Sequence, residues 1–302
     1  MIEVPDELVE SLRVHGGSRG REFAEALPAL AARFLEEWEL RPDGRAMYGM
    51  CALVVPVVRE DGTRAALKLQ ALDEETAGEP VALRAWGAAG AGAVGVLEHD
   101  TATGSMLLER LDESRPLAGV ADVRESVRIL AGSLAGLVVV PAPAGMRRLA
   151  DVAARMVDAA PGTVAGLAAQ DERRLLLDCA AAVREVAGEP GDRLLHWDLH
   201  YDNVLAGRAE DGRADEWVVL DPKPLAGDPG FELFPALDNR FDAGEVLWRF
   251  DLLTGVLGLD RERARAWTLG RVLQNGLWAV GEGRTALSPD HAEIARRLLG
   301  RE

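Results

Sequence analysis

Residues 196–203, HWDLHYDN, place His196, Asp198, His200, Asp202 and Asn203 within eight positions, between the apolar pairs Leu194-Leu195 and Val204-Leu205. Phosphoryl transfer needs a carboxylate facing the attacking hydroxyl, hard oxygen ligands for magnesium and a cation on the nucleotide phosphates. The spacing Asp-x-x-x-x-Asn suits the first two, with Asp198 facing a hydroxyl and Asn203 reaching a metal ion. A second carboxylate, Asp221, follows the apolar run WVVL, where a strand end would deliver it as a further magnesium ligand. Upstream, Lys68 stands in the strand-like RAALKLQAL, and Glu79 opens a helical segment beyond it. The lysine could meet ATP phosphates while the glutamate holds it, and Glu74 and Glu75 compete for that second place.

The same loop admits a different chemistry. His196, Asp198, His200 and Asp221 would suit a transition metal in a hydrolase, since His-x-Asp-x-His offers three ligands on one loop. The lysine pattern argues against it. Among 34 basic residues only Lys68 and Lys223 are lysines. In a chain whose Ala, Gly and Arg richness reads as codon bias, these two mark positions where a compact ammonium serves and a guanidinium does not. Both lie beside the polar clusters. His196 and His200 then read as scaffold that orients the loop by hydrogen bonds. Asp202 reads as a surface turn residue. Asp228, in GDPGFEL, either braces the catalytic loop or caps a helix before Pro229. Lys223 either pins the metal-bearing loop or neutralises phosphate charge.

The rest of the chain must position these groups. Its 302 residues suffice for one large domain or two lobes, and 48% hydrophobic with 28% charged residues is ordinary for a globular protein. The longest apolar runs, such as Leu134 to Val140, are too short to span a bilayer, and the acidic start MIEVPDELVESLRVH does not read as a secretory signal. The expected location is the cytoplasm. Cys51 and Cys179 cannot build a disulfide framework and read as free thiols. The net charge of −16 argues against nucleic acid as a partner and favours solubility or a cationic small-molecule ligand. No membrane partner is expected, and the oligomeric state is left open.

FAEALPALAARFLEEW puts Phe23, Leu27, Leu30, Phe34 and Trp38 on one helical face. AMYGMCALVVPVV and RAALKLQAL, joined by REDGT, predict a β-hairpin. A helix is expected from Glu79-Pro80, because proline fits a first turn. AVGVLEHD and GSMLLERL predict further strands, and the polar DESRPLAG looks like a lobe boundary. From about Val120 the pattern is helical, with Leu176, Cys179, Val183 and Val186 sharing a face. It is interrupted once, by loops and short strands at 194–224.

Taken in order, DGRAMYGMCALVVPVV, AALKLQ, GEPVALRAW, GAVGVLEHD, MLLERL, HWDLHYDNVL and VVLDPKPLAGDPGFEL resemble the aminoglycoside phosphotransferase family of the protein-kinase-like fold. Within it the resemblance is to the streptomycin 6-phosphotransferase and hydroxyurea phosphotransferase branch, and it spans most of the chain. It implies an α+β, bilobal fold: an N-lobe, 1–111, with an antiparallel sheet and helices, and a mainly helical C-lobe, 112–302. It also implies that Lys68 contacts ATP phosphates, Glu79 pairs with it, Asp198 is the base, and Asn203 and Asp221 bind Mg2+. Glu109, Arg110 and Leu111 would form the hinge that offers backbone groups to adenine. Gly44 and Gly49 do not complete a glycine-rich phosphate loop, and structural turn glycines are an equal reading. The implied reaction transfers a phosphoryl group to an aminoglycoside, most closely streptomycin, with hydroxyurea or another metabolite hydroxyl as alternative acceptors. A nucleotide-binding sensor is the reading from another class. Glu232, Asp238, Asp242, Glu245 and Asp251, with Arg240 and Arg249 between them, either line a pocket for a cationic sugar or form a solvated helix face.

Overall fold

The computed structural model describes residues 2–301. Helices α1 (Asp6–His15) and α2 (Gly17–Glu37) lead into strands β1 (Arg41–Pro42), β2 (Met47–Tyr48), β3 (Ala52–Val58) and β4 (Arg64–Gln70). Helix α3 (Glu79–Ala89) follows, then β5 (Val96–His99) and β6 (Met106–Glu109). These six strands form one antiparallel sheet in the order β1-β3-β4-β6-β5, with β2 on β3. The β3–β4 hairpin turns where the Asp61 carboxylate accepts the Thr63 N–H at 2.8 Å and Gly62 takes φ +86°. A side chain rarely adopts that backbone, which is why Asp-Gly marks the turn.

Period-two alternation gives β4 two buried faces. Ala65, Leu67 and Leu69 enter a cluster with Leu27, Ala31 and Phe34 of α2, so the predicted helical stripe holds at its centre while Phe23, Leu30 and Trp38 are only partly covered. The opposite face of β4 carries Lys68 and Gln70, and both bond Glu79 at the start of α3. Proline in that first turn costs no hydrogen bond, because the N–H it lacks would have had no intrahelical acceptor. Further along α3, Ala82, Leu83 and Trp86 belong to the large core shared with the helices beyond residue 120.

That core is built from α4 (Val123–Leu137), α5 (Leu149–Thr163), α6 (Gln170–Val186), α7 (Phe234–Asp238), α8 (Val246–Leu257), α9 (Arg261–Gly281) and α10 (Pro289–Leu298). Helices α6 and α9 approach closely at Gly276, where an added Cβ would stand 2.8 Å from Leu176 Cδ1. Between α6 and α7 the chain forms β8 (Arg193–Leu195), β9 (Val204–Ala206), β10 (Trp217–Val219) and β11 (Leu225–Gly227), as expected for 194–224. Strands β8 and β11 pair, as do β9 and β10.

DESRPLAG contains a strand that its polar sequence does not announce. Residues Asp112–Pro116 form β7, which pairs with β9 and completes a three-stranded sheet. Its middle residues are exposed, so no hydrophobic alternation announces it, and Asp112 turns back to accept the Ser114 N–H at 3.1 Å. No helix among the described residues is long and apolar enough to cross a membrane.

Trp86 ties the sheet to the helical core. It is fully buried, and its indole N–H donates to the Leu137 carbonyl at 3.1 Å at the end of α4. Trp86→Ala is expected to lower stability by about 3–5 kcal/mol, read as a shift in the urea midpoint; a change below about 1 kcal/mol would contradict this role.

Candidate active site

The two candidate loops are closed at both ends by strand pairs. Residues 196–203 run from β8 to β9, and residues 220–224 run from β10 to β11. Because Leu195 pairs with Leu225 and Val204 with Val219, the loops emerge side by side. Lys223 N–H donates to the His196 carbonyl at 2.9 Å, and Leu220 N–H to the Asn203 carbonyl at 3.0 Å. Two non-glycine residues here take the left-handed backbone, Trp197 at φ +67° and Asp221 at φ +58°. Such conformations cost about 1–3 kcal/mol each and persist where surrounding contacts over-determine them.

The structure brings Lys68, Glu79 and Asp221 together. Lys68 Nζ lies 2.7 and 2.9 Å from the two Glu79 oxygens and 2.5 Å from Asp221 Oδ1. Gln70 donates to Glu79 as well. Burial alone would lower the lysine pKa, yet the charges of Asp221 and Glu79 outweigh it and raise the value, so the ammonium stays charged. Burial likewise opposes ionisation of Asp221, but Lys68 and Lys223 hold its pKa below the ordinary carboxylate value. Glu74 makes no such contact, and Glu75 instead faces Arg147 at 3.8 Å.

Asn203 Nδ2 donates to the Asp198 backbone carbonyl at 2.9 Å, which fixes the asparagine and leaves its amide oxygen for another partner. The Asp198 carboxylate is half-buried at the edge of a cavity. Asn203 and Asp221 thus present hard oxygens, the donor type magnesium takes. Lys223 Nζ stands 3.6 Å from Asp221 Oδ2, so its backbone pins the loop while its ammonium adds charge there.

His196 is scaffold. It is wholly buried, its Nε2 bonds the Leu220 carbonyl at 3.0 Å, and its Nδ1 accepts the Asp198 N–H at 3.2 Å. Burial pushes its pKa down to about 3. With both nitrogens committed to backbone it cannot ligate a metal, which removes the hydrolase arrangement. His200 Nδ1 accepts the Asp202 N–H at 3.3 Å, and both residues line the cavity. At the expected hinge, Glu109 pairs its side chain with Arg213 at 2.9 Å and Arg110 bonds Glu113, so both side chains point into local ion pairs; Leu111 is buried. Gly49 closes a turn to Ala52, and Ser11 Oγ donates to the Met50 carbonyl at 2.6 Å, while Gly44 lies in a separate turn at φ +147°.

Asp228 caps rather than braces. Its carboxylate accepts the Gly230 N–H at 2.8 Å and pairs with Arg263 at 2.5 Å. The brace is Glu232, which accepts the Trp197 N–H at 2.7 Å from beneath the loop. Its place between Phe231 and Leu233, both buried, is the sequence signal that could have moved it from the solvent-facing set to the core.

The carboxylates expected to line a pocket do not do so as a group. Asp242 caps Gly244, Glu245 pairs with Arg124, Asp251 pairs with Arg261, and Arg249 is buried on the carbonyls of residues 236–240. Arg240 bonds the Val120 carbonyl. Only Asp238 reaches the cavity of about 570 Å³ beside Asp198. Helix α9 and the segment after it contribute the wall that periodicity did not reveal, with Arg271, Trp278 and Glu282.

A family model described as "Aminoglycoside/hydroxyurea antibiotic resistance kinase" matches residues 37–283. The chain belongs to that family. Among its relatives, a hydroxyurea phosphotransferase of Kitasatospora aureofaciens is 60% identical over 100% of this chain and 87% of that protein. A streptomycin 6-kinase of Streptomyces glaucescens is 50% identical over 99% of this chain and 98% of that protein. A crystal structure of an aminoglycoside phosphotransferase with ADP and hygromycin B superposes with a TM-score of 0.60 at 13% identity, covering 90% of this chain and 97% of that one. The α+β protein-kinase-like fold is therefore established for this kinase, which is a phosphotransferase acting on a hydroxyl-type acceptor.

Glu232 is expected to couple the stability of this kinase to pH. Burial raises its pKa to about 7, against the pull of the Trp197 N–H and Arg271. Between the ordinary value of 4.5 and about 7, the folded protein holds a proton that the unfolded chain releases, so this group favours folding less as pH rises. Glu232→Gln keeps an acceptor for Trp197 and cannot ionise. Thermal melts should show the wild type losing stability relative to Glu232→Gln across that window; parallel pH profiles would refute the assignment.

Proposed function

We propose that this protein uses ATP to phosphorylate a hydroxyl of a guanidinium-bearing aminoglycoside, with streptomycin as the leading acceptor. The observation that carries this reading is the cavity at Asp198. Its volume of about 570 Å³ suits a drug-sized ligand, and Asp198, Asp202, Asp238 and Glu282 give it an anionic lining for a cationic sugar. Trp278, 48% exposed, offers a flat apolar face in the same wall, on which a guanidinium can stack. Streptomycin 6-kinases at 50% identity support the acceptor class.

In the proposed mechanism Asp198 aligns the acceptor hydroxyl and receives its proton as the new bond forms. Lys68, kept charged by Glu79 and Asp221, neutralises nucleotide phosphates. Asn203 and Asp221 would hold magnesium, which would supply charge neutralisation at the phosphates. The backbone of Glu109–Leu111 meets adenine. Rate enhancement comes from positioning and charge neutralisation, which the paired strands around both loops support. The boundary of the two lobes is placed at 111/112, and the cytoplasm, where ATP is supplied, is the proposed location.

Hydroxyurea is the second reading, favoured by the relative at 60% identity. It has only a handful of non-hydrogen atoms and would fill little of the cavity. The two readings separate in one assay, ADP release from magnesium ATP with streptomycin, other aminoglycosides or hydroxyurea added singly. Streptomycin is expected to stimulate release, and Asp198→Ala to reduce turnover by about 10²–10⁴-fold while ATP still binds. Stimulation by hydroxyurea alone would overturn the aminoglycoside assignment. Turnover that survives Asp198→Ala would overturn the role of the base.

A further inference from the structure

Arg271 does not fit the anionic cavity it lines. It sits on α9, is 6% exposed, and stacks its guanidinium 5.3 Å from the Trp197 ring centre and 5.4 Å from that of Phe231. Its Nη1 donates to Gln274 Oε1 at 2.7 Å, and its Nε is enclosed without a partner. Among the described residues no carboxylate stands within ion-pair distance of it. Burial lowers its pKa to about 10, with Asp198 the strongest influence in the other direction, so it is a cation at neutral pH. Arg284, the other arginine of the cavity, is exposed and faces Glu282 at 3.8 Å.

A guanidinium desolvated on two aromatic rings, without a counter-ion, is a site for an anion. A cationic sugar supplies none, but the reaction does. We propose that Arg271 binds the transferring phosphoryl group from the acceptor side and continues to hold it in the phosphorylated product. The acceptor oxygen forms a bond to the γ-phosphorus as the bond to the β,γ-bridging oxygen breaks. ADP leaves with that electron pair, and the acceptor proton passes to Asp198 and then to water. The guanidinium gives up no proton; its planar donors match phosphoryl oxygens. Stacking on Trp197, the neighbour of Asp198 in the chain, fixes the distance between cation and base. Lys68 approaches the nucleotide from the sheet and Arg271 from the helices.

This inference rests on Asp198 as the base and not on which acceptor is used. A purely structural alternative makes Arg271 the distant counter-charge of Glu232, whose Oε2 also lacks a partner. To separate them, inorganic phosphate is titrated by ³¹P NMR into the protein saturated with magnesium ADP, for wild type, Arg271→Lys and Arg271→Met. Wild type is expected to bind phosphate, Arg271→Met to weaken it at least tenfold, and Arg271→Lys to fall between. With streptomycin as acceptor, kcat should drop about 10²-fold in Arg271→Met while both KM values stay within about threefold. Phosphate affinity equal to wild type in Arg271→Met would overturn the proposal, as would a raised acceptor KM with kcat unchanged. A wild type that binds no phosphate overturns it without any variant. A wild type that binds phosphate but does not turn over streptomycin defeats only the acceptor assignment.

Discussion

One buried ammonium organises the molecule. Lys68 on β4 is held by Glu79 from the next element, α3, and by Asp221 from the loop between β10 and β11, 153 residues further along, so near and far parts of the chain converge on a single charge. A lysine 4% exposed is tolerable only when carboxylates replace its water, and removing either would leave a desolvated charge uncompensated. The pairing sets where the sheet sits relative to the helical core. Trp86 anchors the same helix from below through the end of α4.

The loops that carry Asp198, Asn203 and Asp221 depend on a second constraint. Short strands pair at both their ends, and inside that frame Trp197 and Asp221 are held in backbone conformations that most side chains avoid. Three contacts offset that strain: Glu232 on the Trp197 N–H, neutral His196 between the two loops, and the Lys223 N–H on the His196 carbonyl. None of these groups needs to meet a ligand. Their work is to keep a carboxylate and two oxygen donors in fixed relation, which suits a reaction driven by positioning.

The cavity beside Asp198 shows why net charge says little about a site. The chain carries −16 overall, yet most carboxylates of the segment after Asp228 are spent on caps and ion pairs. The cavity draws on residues from the catalytic loop, α7, α9 and the segment before α10, and sets one unpaired guanidinium into an anionic lining.

Sequence alone determined the parts in which chemistry is local. The Asp198-x-x-x-x-Asn203 spacing, the Asp221 strand end and the Asp-Gly hairpin were legible, because turn geometry, strand alternation and a short loop are written in neighbouring residues, whereas only the fold chose Glu79 over Glu74 and Glu75 as the partner of Lys68. Folding decided everything that depends on partners far along the chain. Glu232 and Asp228 lie four residues apart and look alike as acids, yet one is buried beneath Trp197 and the other caps a turn and meets Arg263. The exposed face of β7 has no hydrophobic alternation, and only its partner β9 makes it a strand. Arg271 reads as one more arginine on a helix until packing against Trp197 and Phe231 desolvates it, since burial is a property of the assembled core and not of the residue.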